Sequence, residues 1–210
     1  MKKKFELPEV FHKRMIQEYG PTSSEAVLWH SAGLQSATFS DLLKNVPLSN
    51  GMSVLDVGAG KCDLYGFLES QIKIDVYRAI DRSRELLDIG SKMFPSIGTW
   101  IGDFRKFDTS SQYDLVVANG SLPYVKMYRG RAKQLRIFTE IVQKMFAYSI
   151  RYCAFNIYST RLSQVTGDLA SSWFLIEPGE LMEIVSSLTP RFTIDHSRLT
   201  GYVNVVLFKD

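Results

Sequence analysis

The sequence has little of what usually announces chemistry. Only two cysteines and three histidines occur in 210 residues. Cys62 and Cys153 lie far apart without metal or redox spacing, so no metal site is expected. A reducing compartment is the simpler reading, with both thiols packing the core. His12, His30 and His196 form no recognisable triad. A net charge of +3 is too mild for a dedicated nucleic-acid binder. No apolar run approaches the roughly 20 residues of a membrane span. Lys2-Lys3-Lys4 resembles the start of an export signal. Glu6, Pro8, Glu9 and His12 interrupt any apolar core, so a cytoplasmic chain with a solvated basic tail is expected. Repeats and low-complexity stretches are also missing. What is present, at 45% hydrophobic and 22% charged residues, is one domain of ordinary size able to bury a full core.

The informative stretch is Ser53-Val54-Leu55-Asp56-Val57-Gly58-Ala59-Gly60. A short apolar strand ends in an aspartate and a Gly-x-Gly turn, and a helix is predicted over 61–71. Glycines let the backbone turn sharply and approach a ligand where a Cβ would collide. The helix N-terminus beyond offers free N–H groups. Together these open a nucleotide-type site in an α/β sheet. A dinucleotide fingerprint wants a glycine where Asp63 stands, and Asp56 sits badly beside a pyrophosphate. A cationic ligand suits it better, and S-adenosylmethionine carries an ammonium and a sulfonium but no phosphate. Asp81, with Arg82 beside it, ends the next apolar strand, where a carboxylate can accept both ribose hydroxyls. In Gly102-Asp103-Phe104 the aspartate could accept an adenine amino group and the phenylalanine cover the ring. A fourth strand over 113–118 ends in Asn119-Gly120-Ser121. The plain alternatives are that Asp56 and Asp81 cap the following helices and Asp103 makes a turn. Asp114 begins its strand and reads as structural.

In order and spacing, Asp56–Gly60, Asp81, Gly102-Asp103 and the strand end Asp114–Asn119 resemble the class I S-adenosylmethionine-dependent methyltransferases, from about residue 50 to the C-terminus. The resemblance implies S-adenosylmethionine as cofactor and S-adenosylhomocysteine as product. It implies a Rossmann-like α/β fold, a mostly parallel seven-stranded sheet with a C-terminal antiparallel hairpin. Residues 1–50 would form a helical cover belonging to the same domain as the cofactor-binding unit, 51–210. The family often has a third glycine where Cys62 stands, a departure that bears on local helix packing. Tyr19-Gly20, Ala26, Trp29, Ser31, Gln35, Asp63-Leu64-Tyr65-Gly66, Ala154-Phe155-Asn156 and Ser187-Leu188-Thr189-Pro190-Arg191 resemble a bacterial subfamily. That implies closure of residues 8–46 over the cofactor through Tyr19, Trp29, Ser31 and Gln35. The expected cofactor shell adds Asp56, Gly58, Ala59, Gly60, Asp81, Arg82, Gly102, Asp103, Phe104, Asn119 and Gly120.

Alternation carries the rest of the fold prediction. Strands are expected at 53–57, 75–81, 98–101, 112–118 and 150–157, and helices at 61–71, 83–93, 131–148 and 177–188. This implies a parallel sheet covered on both faces. Phe192–His196 and Tyr202–Phe208, joined by a turn at Leu199-Thr200-Gly201, leave no room for a helix and must pair antiparallel. Upstream, Thr22-Ser23-Ser24-Glu25 has capping-box spacing for a helix running through Trp29 and His30. Leu34, Phe39, Leu42 and Leu43 give the next helix its apolar face.

Methyl transfer from a sulfonium is an in-line displacement of an activated leaving group, so the protein chiefly positions the acceptor and excludes water. A base is needed only where the acceptor must lose a proton. His30, Tyr19 and Tyr124 are the candidates, although such residues more often serve as surface or packing groups. The acceptor pocket is expected from Asn119–Tyr124, Asn156–Tyr158 and Trp173, with Ser121, Tyr124, Asn156, Tyr158 and Trp173 as contacts. Asn119-Gly120-Ser121-Leu122 lacks the Pro-Pro of amino-directed DNA methyltransferases, which argues against that chemistry. Lys126, Arg129, Arg131, Lys133 and Arg136 form a basic run, either a solvated helix face or a site for an anionic acceptor such as RNA. Ser159–Phe174 is a long polar connection of the kind that forms lids. The preferred function is methylation of a small-molecule or modest polar acceptor. The others are an RNA-directed methyltransferase and a non-catalytic cofactor-binding or partner-binding module.

Overall fold

The computed structural model describes residues 8–161, 173–197 and 202–209. A central sheet carries eight strands: β1 Met52–Val57, β2 Ile74–Asp81, β3 Gly98–Ile101, β4 Tyr113–Ala118, β5 Ser149–Ser159, β6 Leu175–Ile176, β7 Phe192–Asp195 and β8 Tyr202–Phe208. Their order is β3-β2-β1-β4-β5-β8-β7. The first five pair in parallel, while β8 runs antiparallel to both β5 and β7. The sheet thus has one strand more than the seven expected. The addition is the two-residue β6, which pairs with Tyr158 and Ser159 at the end of β5. The expected turn at 199–201 lies outside the described residues, as do most of the 159–174 connection and the N-terminal lysines.

Among the described residues six helices flank the sheet: α1 Pro8–Tyr19, α2 Ala32–Leu43, α3 Asp63–Glu69, α4 Arg84–Met93, α5 Arg131–Tyr148 and α6 Pro178–Leu188. β1 is apolar on both sides because both sides are covered. Leu55 and Val57 pack with Phe138 and Val142 of α5 and Leu181 and Val185 of α6. Met52 and Val54 pack with Phe39 and Leu42 of α2, Leu68 of α3 and Leu87 of α4. α6 starts where the sequence marks it, with Pro178 in its first turn and Glu180 Oε2 accepting from the Glu177 N–H at 3.1 Å. Asp114 is structural, accepting from both the backbone N–H and the hydroxyl of Ser53 at 2.9 and 2.8 Å.

Two expectations upstream of β1 fail. The segment after Ser24 forms only a single 3₁₀ turn, Glu25–Val27, so Trp29 and His30 are not helical. Leu28 takes a left-handed conformation with φ 66°, which breaks the helical path. Ser24 makes no side-chain cap, the Ser23 hydroxyl accepts from the Ala26 N–H at 3.2 Å, and the Ala26 carbonyl faces His12 instead of a following turn. In α2, Leu34 is exposed, while Phe39, Leu42 and Leu43 are buried.

Candidate active site at the strand ends

The strand order reverses between β1 and β4, and an α/β sheet offers its ligand crevice outside the strand ends at that point. A cavity of about 210 Å³ lies there, larger than the one of about 110 Å³ beneath α6. The glycine turn forms its floor. Gly58 has φ 77°, and a Cβ on it would collide with Ser121. The Ser121 hydroxyl donates to the Val57 carbonyl at 2.7 Å, holding the ends of β1 and β4 together. Cys62 adopts φ 63°, a left-handed position that favours glycine. Its thiol is accommodated by Gly90 of α4, on which a Cβ would sit 2.6 Å from the sulfur. Both cysteines are buried, and burial pushes both thiols up, away from a nucleophilic thiolate.

Asp81 ends β2 facing this turn. Its Oδ2 accepts from the Gly60 N–H at 2.8 Å and its Oδ1 from the Ser83 N–H at 2.8 Å. Ser83, not Asp81, caps α4 through its hydroxyl. Burial raises the Asp81 carboxyl, opposed by those backbone donors. Asp56 lies beneath the turn, buried, and accepts from the Tyr77 hydroxyl at 2.5 Å. Burial raises it to about 7, with the Tyr77 hydrogen bond opposing and the neighbouring carboxylates of Asp81 and Asp63 adding to the rise. It caps no helix. Asp63, standing where a dinucleotide site would have glycine, is a latch. It accepts from Lys61 Nζ at 2.6 Å and from Gln35 Nε2 at 2.9 Å, tying α2 to the start of α3.

On the β3 side, Asp103 is more committed than expected. Arg105 grips it through Nε at 3.1 Å and Nη2 at 2.5 Å, and the Arg105 N–H also donates to it. Burial pushes its carboxyl up, but the Arg105 hydrogen bonds and charge, with Arg82, hold it below its ordinary value. It does cap the 3₁₀ turn Phe104–Lys106, so the turn role is real. Phe104 is buried and still lines the cavity.

On the other side an aromatic wall closes the cavity. Tyr158 stacks on Tyr202 with centroids 4.2 Å apart, Trp29 lies 6.1 Å from Tyr202, and Trp173 lies 6.3 Å from Tyr158. Trp173 meets Tyr124 edge-on at 5.1 Å. Behind Tyr124 stands His12 of α1, with Nε2 3.1 Å from the Tyr124 hydroxyl and Nδ1 3.0 Å from the Ala26 carbonyl oxygen.

The cavity lining brings together Trp29, Gln35, Asp56, Gly58, Ala59, Gly60, Asp81, Arg82, Gly102, Asp103, Phe104, Asn119, Gly120, Ser121, Tyr124, Tyr158 and Trp173. Four candidates fall outside it. Tyr19, at the end of α1, is 48% exposed. Ser31 is the exposed N-cap of α2, accepting from the Leu34 N–H. His30 is exposed too, because the chain leaves the helical path at Leu28. Asn156 is fully buried behind the wall. Its Oδ1 accepts from the Gly120 N–H at 2.7 Å and its Nδ2 donates to Asn119 Oδ1 at 2.7 Å. It orients Asn119 and does not reach the cavity. Sequence reasoning missed His12 and Tyr202, which come from the far ends of the chain and adjoin no motif.

Among the described residues no cluster of His, Cys, Asp or Glu could hold a metal ion, and no helix is long and apolar enough to cross a membrane. No family model matches the sequence, and no curated protein matches it. Solved structures do resemble it. A DhpI–SAM–HEP complex superposes with a TM-score of 0.67 at 15% identity, covering 96% of this chain and 95% of the other. The magnesium protoporphyrin IX methyltransferase ChlM from Synechocystis PCC 6803, with bound SAH, gives 0.60 at 12% identity over 85% and 82%. CalS10, an amino pentose methyltransferase from Micromonospora echinaspora with SAM bound, gives 0.59 at 12% over 85% and 90%. The fold is that of the class I methyltransferases.

Proposed function

We propose that this chain is an S-adenosylmethionine-dependent methyltransferase acting on a small or modest polar acceptor. The observation that carries the reading is the placement of Asp81, whose carboxylate faces the glycine turn at the switch point of a class I methyltransferase fold. Its oxygens accept the Gly60 and Ser83 N–H groups, and a carboxylate has lone pairs beyond those for the ribose hydroxyls. The turn at Gly58–Gly60 leaves backbone room for the amino-acid end of the cofactor, and Asp56 beneath it supplies negative charge. Phe104 would cover the adenine, with Asp103 serving mainly to hold Arg105. When bound, the cofactor supplies an electrophilic methyl group. The chain then orients the acceptor between Asn119, Tyr124, Tyr158 and Trp173 and excludes water from it.

The aromatic wall favours a small acceptor over RNA. The basic run is spread out: Arg131 turns to Glu180 and the Leu175 carbonyl, and Arg136 pairs with Glu140. ChlM and CalS10, a magnesium protoporphyrin IX and an amino pentose methyltransferase, also take small molecules. Calorimetry with S-adenosylmethionine and S-adenosylhomocysteine tests the reading, with one site per chain expected. Asp81→Ala should weaken binding by about 2 kcal/mol or more through the lost ribose bonds. Binding of NADH without adenosylhomocysteine binding would reverse the assignment. Cofactor binding with no transfer into any fraction of a cell extract would favour the non-catalytic module.

A further inference from the structure

Resting on the methyltransferase reading, we propose that the acceptor is a small phenol-type molecule whose hydroxyl loses its proton to Tyr124 as Tyr124 passes its own to His12. A planar ring fits a wall of aromatic faces and edges, and the cavity has one in Trp29, Tyr124, Tyr158, Trp173 and Tyr202. Asn119 chooses oxygen over nitrogen as the methylated atom. The Gly120 N–H fixes Asn156 Oδ1 as an acceptor, so Asn156 Nδ2 donates to Asn119 Oδ1. Among the described residues Asn119 Nδ2 is left buried without a partner, in a residue that lines the cavity. A buried donor of this kind calls for an acceptor. A phenolic oxygen has lone pairs to spare for that donor while it attacks. An amine nitrogen has one, which the attack itself requires.

The proton route follows from the His12 contacts. The Ala26 carbonyl can only accept, so Nδ1 carries the ring proton and the Nε2 lone pair faces the Tyr124 hydroxyl. His12 is buried, which shields that lone pair from bulk water. In the step, the acceptor oxygen forms its bond to the methyl carbon as the sulfur–methyl bond breaks and leaves its electron pair on sulfur. The hydroxyl proton moves to Tyr124 Oη and the Tyr124 proton to His12 Nε2. The products are a methyl ether, a thioether and an imidazolium, so the positive charge passes from sulfur to His12.

The test uses acceptor acidity. Transfer of labelled methyl from S-adenosylmethionine to phenol and to 4-nitrophenol is measured at a mildly alkaline pH, where only 4-nitrophenol is ionised. Tyr124→Phe and His12→Gln should each lose about 100-fold with phenol. Their losses should be at least about tenfold smaller with 4-nitrophenolate, which has no proton to give up. Equal losses with both acceptors would overturn the relay. A binding readout is independent of turnover. At mildly acidic pH, 4-nitrophenol added to the adenosylhomocysteine-loaded wild type should show the phenolate band, and His12→Gln should suppress it. Persistence of that band in the variant counts against His12. Tyr124→Phe keeps the ring against Trp173, so it guards against a variant that merely undocks α1. A wild type that binds adenosylhomocysteine but methylates neither phenol overturns the acceptor class. One that binds neither cofactor form fails at the underlying reading instead.

Discussion

Asp56→Asn should make the protein more stable and a worse binder of S-adenosylmethionine, and the stability gain should depend on pH in a calculable way. Asp56 is 2% exposed, and its carboxyl is raised from 3.8 to about 7, chiefly by burial. The folded state therefore holds this proton more tightly than the unfolded chain does. The stabilisation from that tighter proton binding is complete below 3.8 and is lost as pH rises through about 7. Just over three pKa units correspond to about 4 kcal/mol of penalty for the ionised carboxylate at pH 8, an upper limit. Asparagine keeps an oxygen for the Tyr77 hydroxyl, whose bond to the carboxylate is already counted in that shift. A net gain of about 2–3 kcal/mol at pH 8 should raise Tm by about 5–10 °C for a chain of this size. The gain should shrink to nothing near pH 4. Thermal unfolding of both proteins between pH 4 and pH 8, followed by circular dichroism, measures it. A pH-independent difference, or a variant less stable at pH 8, would refute the reasoning. In parallel, calorimetry should find the variant's affinity for the doubly cationic end of S-adenosylmethionine reduced. A buried charge kept at such a cost is the usual mark of function traded against stability.

Other consequences follow from single contacts. Asn156→Ala should strip the Gly120 N–H and Asn119 of their partners, costing about 2–3 kcal/mol of stability and weakening adenosylhomocysteine binding. Preserved affinity would instead restore Asn156 as an acceptor contact. Gly90→Ala should cost about 2 kcal/mol by overpacking Cys62, and Cys62→Gly should recover part of that loss in the double variant. Denaturant unfolding reads both, and strict additivity would dismiss the coupling. Hydrogen exchange within residues 8–46 should slow on adding S-adenosylhomocysteine, since His12, Trp29 and Gln35 all line the cavity. Unchanged exchange at saturation would reject closure by this segment.

The parts of the fold legible in the sequence were those with short-range causes. β1 to β5 fall close to the expected positions because apolar runs alternate with amphipathic segments, and the hairpin-like pairing of β7 and β8 follows from the lack of room for a helix between them. The glycine turn and Asp81 were legible for the same reason: strand end, turn and helix start are contiguous. The two-residue β6 carries no periodicity and could not be seen. The capping-box pattern at Thr22–Glu25 misled because a tertiary partner, His12, occupies the Ala26 carbonyl and Leu28 turns left-handed. Local propensity there yields to packing.

The site residues divide along the same line. Asn119 and Asn156 both stand at the end of a strand, yet one lines the cavity and the other is sealed behind it. The difference is set by register. Asn156 lies opposite Asn204 in the β5–β8 ladder, and its side chain is enclosed there and bonds to Asn119 and Gly120. His12 is the converse case. Nothing around it in the sequence distinguishes it from a helix-surface histidine, and 112 residues separate it from Tyr124. Its role arises only when the packing of α1 and the Ala26 turn sets the imidazole between one carbonyl and one phenol. Motifs at strand ends thus locate a cofactor, because the fold fixes where strand ends meet. The proposed acceptor chemistry rests on contacts between distant segments, which is why the chain read by itself offered His30 as a base candidate and passed over His12, the histidine that lines the cavity.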